Sequence, residues 1–199
     1  MKAGSLFFRC DFRSPRLGYI LAEILGRRLG LVFSLHQKEE VMPDGPLCLH
    51  YGIPGGDVSF SESGILRESG ISDWKLNIRN NAPVLQKDGK EFYDDFFGAA
   101  FWLLSRYEEQ SAEIWPDSHG RFPDESNSLA PVLSQIPLVD HWTDELRKKL
   151  ESLGLPCKKP EVKADFSIDW DNPTAYLHKG IFRQAGGDHF LAAGKFTQS

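Results

Sequence analysis

The sequence predicts an α/β fold, a mostly parallel sheet with flanking helices and a β-hairpin, on three observations. A strand, a helix and a second strand are compressed into about thirty residues at the N-terminus, the size of one βαβ unit. An Asp88-Gly89 pair sits between two apolar runs, the strongest short-range signal for a hairpin. Two later segments have helical spacing, one apolar almost all round and one amphipathic.

The elements follow in order. Leu6 to Cys10 is the first strand. Ser14-Pro15 then starts a helix, a cap residue followed by proline in the first turn. Leu17, Ile20, Leu21, Ile24, Leu25 and Leu29 recur at helical spacing until Gly30 stops them. Leu31 to Leu35 is the second strand, parallel to the first through a right-handed crossover. Pro46 to Tyr51 is a third, and Gly52-Ile53-Pro54-Gly55-Gly56-Asp57 after it is turn-forming but lacks the spacing and lysine of a phosphate-binding loop. Val58 to Phe60 is a short strand, and Gly64 to Gly70 a helical turn or loop.

Pro83 to Gln86 and Glu91 to Tyr93 are the arms of the hairpin. Asp94 and Asp95 open the next helix, with negative charge at its positive end. Phe92, Phe96, Ala99, Ala100, Leu103 and Tyr107 form one stripe, while Phe97, Phe101, Trp102 and Leu104 fill the rest, so this helix belongs at the centre of the core. The reading carries it on through Glu108 and Glu109, whose charge opposes the helix dipole and calls for Arg106 or Arg121 as a compensating cation. Pro137 to Leu153 is the last helix, with Val139, Trp142, Leu146, Leu150 and Leu153 as its apolar stripe and Gly154 as its stop. Leu155 to Glu161 has proline and charge without periodicity and reads as a linker. The expected organisation is therefore a first domain over 1–154, a linker over 155–161 and a second unit over 162–199.

Composition narrows the function. With 23 Lys and Arg against 28 Asp and Glu, the net charge is −5, which argues against nucleic acid and anionic membranes as partners. A hydrophobic share of 41% with 14 Phe marks a folded protein. Cys10, Cys48 and Cys157 form no C-x-x-C pair, so neither a disulfide framework nor a zinc knuckle is expected, and Cys10 and Cys48 read as buried free thiols. The run Leu6-Phe7-Phe8 is too short for a signal peptide or a membrane span, which makes a cytoplasmic chain the expectation.

Two places carry candidate chemistry. In Phe166-Ser167-Ile168-Asp169-Trp170-Asp171-Asn172, strand alternation puts Asp169 and Asp171 on one face. There one carboxylate can hold a divalent metal and the other take a proton from its water. The same residues are also good turn and helix-start chemistry, with Asn172 capping and Pro173 in the first turn. The second place is the loop from Trp115 to Pro123, rich in Asp, His and Arg. Arg106, Glu109, His119 and Arg121 are expected to form a buried polar tie between the central helix and this loop, so that Arg121→Ala lowers the melting temperature by several degrees.

Phe101-Trp102-Leu103-Leu104-Ser105-Arg106-Tyr107-Glu108-Glu109, Asp117-Ser118-His119-Gly120-Arg121-Phe122 and Pro137-Leu138-Val139-Asp140-His141-Trp142, in that order, resemble the uncharacterised N-terminal domain that precedes a bacterial polysaccharide deacetylase domain. Phe166 to Gly180, with Tyr176-Leu177-His178-Lys179-Gly180, is similar to the first motif of the deacetylase domain itself. The resemblance implies a distorted (β/α) barrel whose first strand and helix begin here. It also implies a divalent metal, usually zinc, removal of acetyl groups from N-acetylated sugars, and a polysaccharide or cell-envelope glycan as partner. Asp169 then corresponds to the catalytic base and Asp171 to the aspartate metal ligand.

The chain departs from that pattern. The family supplies two further ligands as His-x-x-x-His, and the histidines here are His36, His50, His119, His141, His178 and His189, no two of them four apart. A zinc site takes about three protein ligands. The stretch after Asp171 is also far shorter than a barrel of about 250 residues. The expectation is an accessory region joined to an incomplete deacetylase start, with no cofactor in this chain and no catalysis. One alternative is a non-catalytic module that recognises a glycan or a partner through Trp74, Trp115 or Trp142, the last of these more at home in the core. Another is a sugar-nucleotide glycosyltransferase holding Mg²⁺ and a diphosphate through the Asp-x-Asp pair, although the pair comes late for a donor domain. Phe166, Ile168, Phe182 and Phe190 of an incomplete unit are expected to drive self-association.

Overall fold

Alternation builds the first strand, β1 (Ser5–Cys10), in which Leu6, Phe8 and Cys10 are buried and the residues between them are not. The computed structural model describes residues 4–41, 45–110, 117–122, 129, 135–159, 161 and 164–167, and the chain divides into one unit over 1–160 and another over 161–199. In the first unit Ser14 caps α1 (Pro15–Leu21), its Oγ accepting from the Leu17 N–H at 3.0 Å and donating to the Leu66 carbonyl at 2.5 Å. The helix continues as a π-helical segment over Ala22–Arg28, where the Leu29 N–H reaches back to the Ile24 carbonyl, and Gly30 ends it at φ 65°.

The chain returns in β2 (Val32–Gln37), parallel to β1, and the expected βαβ unit is present. β3 (Leu47–Tyr51) lies parallel on the other side of β1, and β4 (Val58–Phe60) pairs with β3, giving the order β2-β1-β3-β4. Phe8 stands in register with Leu35 on one side and Leu49 on the other, so one face of the sheet is continuously apolar. In the run after β3, the Gly55 and Gly56 backbones lie against the His50 ring, and His50 Nδ1 donates to the Pro54 carbonyl at 2.8 Å.

The second sheet is an antiparallel meander of β5 (Lys75–Arg79), β6 (Ala82–Lys87) and β7 (Lys90–Tyr93). The expected hairpin is its second half, turning through Asp88 and Gly89 at φ 50° and 72°. Its first half turns through Asn80 and Asn81, at φ 51° and 63°, the left-handed pair that a two-residue type I′ turn requires. β5 was not expected, although Leu76 alternates inward and is buried.

The apolar helix, α2 (Phe96–Leu104), buries every residue from Phe96 to Trp102 and sits at the centre of the core as expected. It is shorter than the sequence suggests. Arg106 takes a left-handed conformation at φ 52° and the chain continues as a 3₁₀ turn over Tyr107–Gln110. Glu108 and Glu109 therefore lie beyond the α-helix, and the expected conflict with its dipole does not arise. The last helix, α3 (Leu138–Ser152), buries Leu138, Val139, Trp142, Leu146 and Leu150. Leu153 leaves the expected stripe and is exposed, because the helix has ended and Gly154 turns the chain at φ 86°.

The expected linker begins as part of the first unit. The Lys158 N–H donates to the Leu29 carbonyl at 2.7 Å, Leu155 and Cys157 are buried, and a Cβ at Gly4 would lie 2.8 Å from the Pro156 carbonyl oxygen. The two apolar side chains give residues 155–159 something to bury, which a free linker lacks. Cys10 and Cys157 are buried free thiols, while Cys48 is only half-buried. In the second unit residues 164–167 are not in a strand and Phe166 is 96% exposed, while the rest of the strand expected from Val162 to Asp171 lies outside the described residues. Asp169, Asp171, Ile168, Phe182, Phe190 and the expected barrel start lie outside the described residues. No helix among the described residues is long and apolar enough to cross a membrane.

Candidate functional site

Open α/β sheets bind ligands outside the C-terminal ends of their strands, where the strand order reverses. In the order β2-β1-β3-β4 that point falls between β1 and β3. It is filled from within. Arg67, on the turn after β4, donates from Nε and Nη2 to the two oxygens of Glu62 at 2.6 and 2.7 Å and from Nη2 to Asp11. Its guanidinium stands 4.1 Å from the centre of the Phe12 ring. Gly52, at φ 69°, leaves room for this arrangement, since a Cβ there would lie 2.7 Å from Glu62 Oε2. The hydrogen bonds to Glu62 raise the Arg67 pKa further above its ordinary value, so the cation is permanent.

Behind this triad lies a buried carboxylate. Asp95 is 1% exposed and caps α2, accepting from the Gly98 N–H at 2.8 Å. It also accepts from the Tyr51 hydroxyl at 2.9 Å, the Ser63 N–H at 2.9 Å and the Ser63 hydroxyl at 2.5 Å. A Cβ at Gly98 would collide with Asp95 Oδ2 and lie 2.8 Å from Ile65 Cγ2, so this helical position admits only glycine. Burial pushes the Asp95 carboxyl above the ordinary aspartate value, against the pull of its donors.

An open cleft of about 520 Å³ lies elsewhere, between β4, the Asn80-Asn81 turn and α3. Phe60, Phe96 and Trp142 supply its apolar side. Its polar side comes from Asn80, Asn81, Asp94, His141, Glu145 and Lys149. Trp142 Nε1–H donates to the Asn81 carbonyl at 2.7 Å, which ties α3 to the turn. His141 Nε2 and Glu145 Oε1 are 3.8 Å apart. The Asn-Asn pair between alternating runs is the signal from which the turn was readable. The cleft was not readable, because its walls come from three distant segments.

The residues singled out from sequence are placed differently. Arg106 pairs with Glu109, its side chain 70% exposed. Asp117 accepts from the backbone N–H groups of His119 and Arg121 at 2.8 and 2.9 Å and from Arg121 Nε at 3.0 Å. The Arg121 N–H is the chief reason its carboxyl lies below the ordinary range. His119 and Arg121 are exposed, Arg121 at 72% of its side chain. The expected buried tie is thus two exposed local pairs, and no hydrogen bond among the described residues joins them. Arg121→Ala should therefore shift the melting temperature by less than about 2 °C, as exposed ion pairs do, checked by calorimetry.

Trp74 is 5% exposed, with Nε1 donating to Glu68 at 3.0 Å, and Trp142 is 6% exposed, so neither offers a free face for a sugar. Trp115 lies outside the described residues. Among the described residues no three His, Cys, Asp or Glu side chains are grouped to hold a metal.

The fold and its contents define a mixed α/β domain with one parallel and one antiparallel sheet around a central apolar helix. Residues 6–155 match a family of unknown function, DUF7033, and the chain belongs to that family. The match spans nearly all of the first unit, and the family's description mentions neither an activity nor polysaccharide deacetylases. No curated protein matches the chain, and no solved structure does.

Proposed function

We propose that the chain is the accessory region of a carbohydrate deacetylase-like protein, and that its first unit recognises a glycan and carries out no chemistry itself. The observation that carries this reading is the contrast between two places. The strand-end crevice where α/β enzymes work is occupied by Arg67 with Asp11 and Glu62, while a cleft with aromatic and polar walls stands open beside α3. The resemblance of the Ser105-to-Glu109 and His119-to-Phe122 blocks to domains that precede deacetylases adds the glycan and the deacetylase-like neighbour.

In this reading Asp169 and Asp171 keep the roles of base and metal ligand that the resemblance implies for an intact catalytic unit. The donors in this chain do not fit a zinc ion, since no His-x-x-x-His accompanies the aspartate, and no step is routed through one. The test uses the full 199-residue chain, offered insoluble chitin, peptidoglycan and cellulose, and separately N-acetylated chito-oligosaccharides with added zinc. Retention on at least one polysaccharide without acetate release is the expected result, unchanged in Asp171→Asn. Acetate release that Asp171→Asn abolishes would overturn the non-catalytic role, and passage through every polysaccharide unretained would overturn recognition.

A further inference from the structure

We infer that the cleft between β4, the Asn80-Asn81 turn and α3 is a saccharide site that takes an uncharged mono- or disaccharide. The inference rests on the glycan-recognition reading and gives it a place and a ligand chemistry.

Size comes first. A volume of about 520 Å³ lies within the usual range for small-molecule sites and is ample for a sugar ring. Four polar side chains of the walls are exposed and available to a ligand. The side chains of Asn80, Asn81, Asp94 and Lys149 engage no hydrogen bond or ion pair among the described residues. They comprise two amides that both donate and accept, one group that only accepts and one that only donates. A ring bearing several hydroxyls, each a donor and an acceptor, answers such a mixed set. Phe60, half-buried at the same wall, offers apolar contact to the C–H face of the ring.

Charge excludes the nearest competitors. Asp94 and Glu145 outnumber Lys149 in the lining, so it has no surplus cation. A phosphate or nucleotide is commonly held by Arg forks or several lysines, and this cleft is lined by no arginine and one lysine. A peptide added as a strand would need the outer edge of β4, which at three residues is too short to template one.

The cleft is also built before any ligand arrives. Asn80, Asn81 and Asp94 are all held in left-handed backbone, at φ 51°, 63° and 60°, and all three line it. Asparagine and aspartate adopt that conformation more readily than other side-chain-bearing residues, so local chemistry sets the backbone while three polar side chains line the cavity. The Trp142 bond to Asn81 then fixes the turn against α3, so little order has to be gained on binding.

Glycine substitution at these positions makes a test that does not depend on damaging the fold. The full chain is titrated calorimetrically with cellobiose, maltose, lactose and chitobiose, and with glucose 6-phosphate and an extended alanine-rich peptide as charged and polypeptide probes. At least one uncharged saccharide should bind the wild type, and its dissociation constant should rise roughly 10-fold or more in Asn80→Gly/Asn81→Gly and in Lys149→Ala. The melting temperature of the glycine variant should be unchanged or raised.

Equal saccharide binding by wild type and variants would overturn the inference while leaving glycan recognition standing, with its site elsewhere. Binding of glucose 6-phosphate or the peptide in preference to the uncharged sugars would overturn the ligand class. Retention on an insoluble polysaccharide with no binding of any small sugar would also sink the cleft as the site. Failure of both measurements would remove the glycan-recognition reading as well.

Discussion

Asp95→Ala lowers the melting temperature by roughly 10 °C, corresponding to roughly 4 kcal/mol in a chain of this size. Four donors converge on this carboxylate, and two of them, the N–H groups of Ser63 and Gly98, are backbone groups that cannot rotate toward another partner. The hydroxyls of Tyr51 and Ser63 can turn, but Tyr51 is fully buried and finds little to turn to. Losing the cap of α2 costs about 1 kcal/mol, and each stranded buried donor adds about 1–3 kcal/mol. Ser63→Ala, which removes one donor and leaves the carboxylate, should cost clearly less. Denaturant unfolding of the three proteins measures the order.

The same residue gives stability a pH dependence with a definite sign. Burial is the leading influence on Asp95 and raises its pKa in the folded protein above the ordinary 3.8. The folded state therefore holds a proton that the unfolded state has released, and stability falls as pH rises through the window from 3.8 to the folded value. Below that window the contribution is fully present. Asp95→Asn has no such proton, so its deficit relative to wild type should narrow as pH rises from 4 towards 8. A deficit that widens instead would mean that the four donors outweigh burial and the native carboxyl is ionised more readily than the unfolded one.

The parts of this fold that were legible in the sequence are those whose signal is local. Ser14-Pro15, Gly30 and the apolar spacing between them define the first crossover, and Asp88-Gly89 defines the second hairpin turn, because each rule acts over a few residues. Where the outcome depended on distant partners, the reading failed. Arg106 stops α2 with a left-handed residue although nothing in Ser105-Arg106-Tyr107 is a usual stop signal. Leu155 and Cys157 look like linker residues until Gly4 and Leu29 offer them a surface. Asp95 reads only as an acid opening a helix, and its partners Tyr51 and Ser63 arrive from β3 and the loop after β4. The cleft is the extreme case, since Phe60, Asn80 and Trp142 share no local pattern.

Phe97→Ala should cost about 3–5 kcal/mol, the range for emptying a fully buried phenylalanine site, and lower the melting temperature by roughly 10 °C or more. Phe97 has no exposed surface, and four rings surround it: Phe96 at 4.8 Å, Phe60 at 5.0 Å, Phe8 at 5.3 Å and Tyr51 at 5.8 Å between centroids. The contacts with Phe8, Phe60 and Tyr51 are edge-on, the geometry that adds to simple burial. These rings come from β1, β3 and β4, so Phe97 is the knob by which α2 is held to three strands of the parallel sheet. Its neighbour Tyr51 also anchors Asp95, which makes the apolar cluster and the buried polar hub one unit rather than two. A double-mutant cycle measures that unity. Phe97→Leu and Tyr51→Phe, each conservative in volume, should together differ from the sum of their single effects by about 0.5 kcal/mol or more, the level at which touching side chains depart from additivity. Strict additivity would mean that the ring cluster sets the position of α2 without help from Asp95, and that the carboxylate serves only to cap the helix.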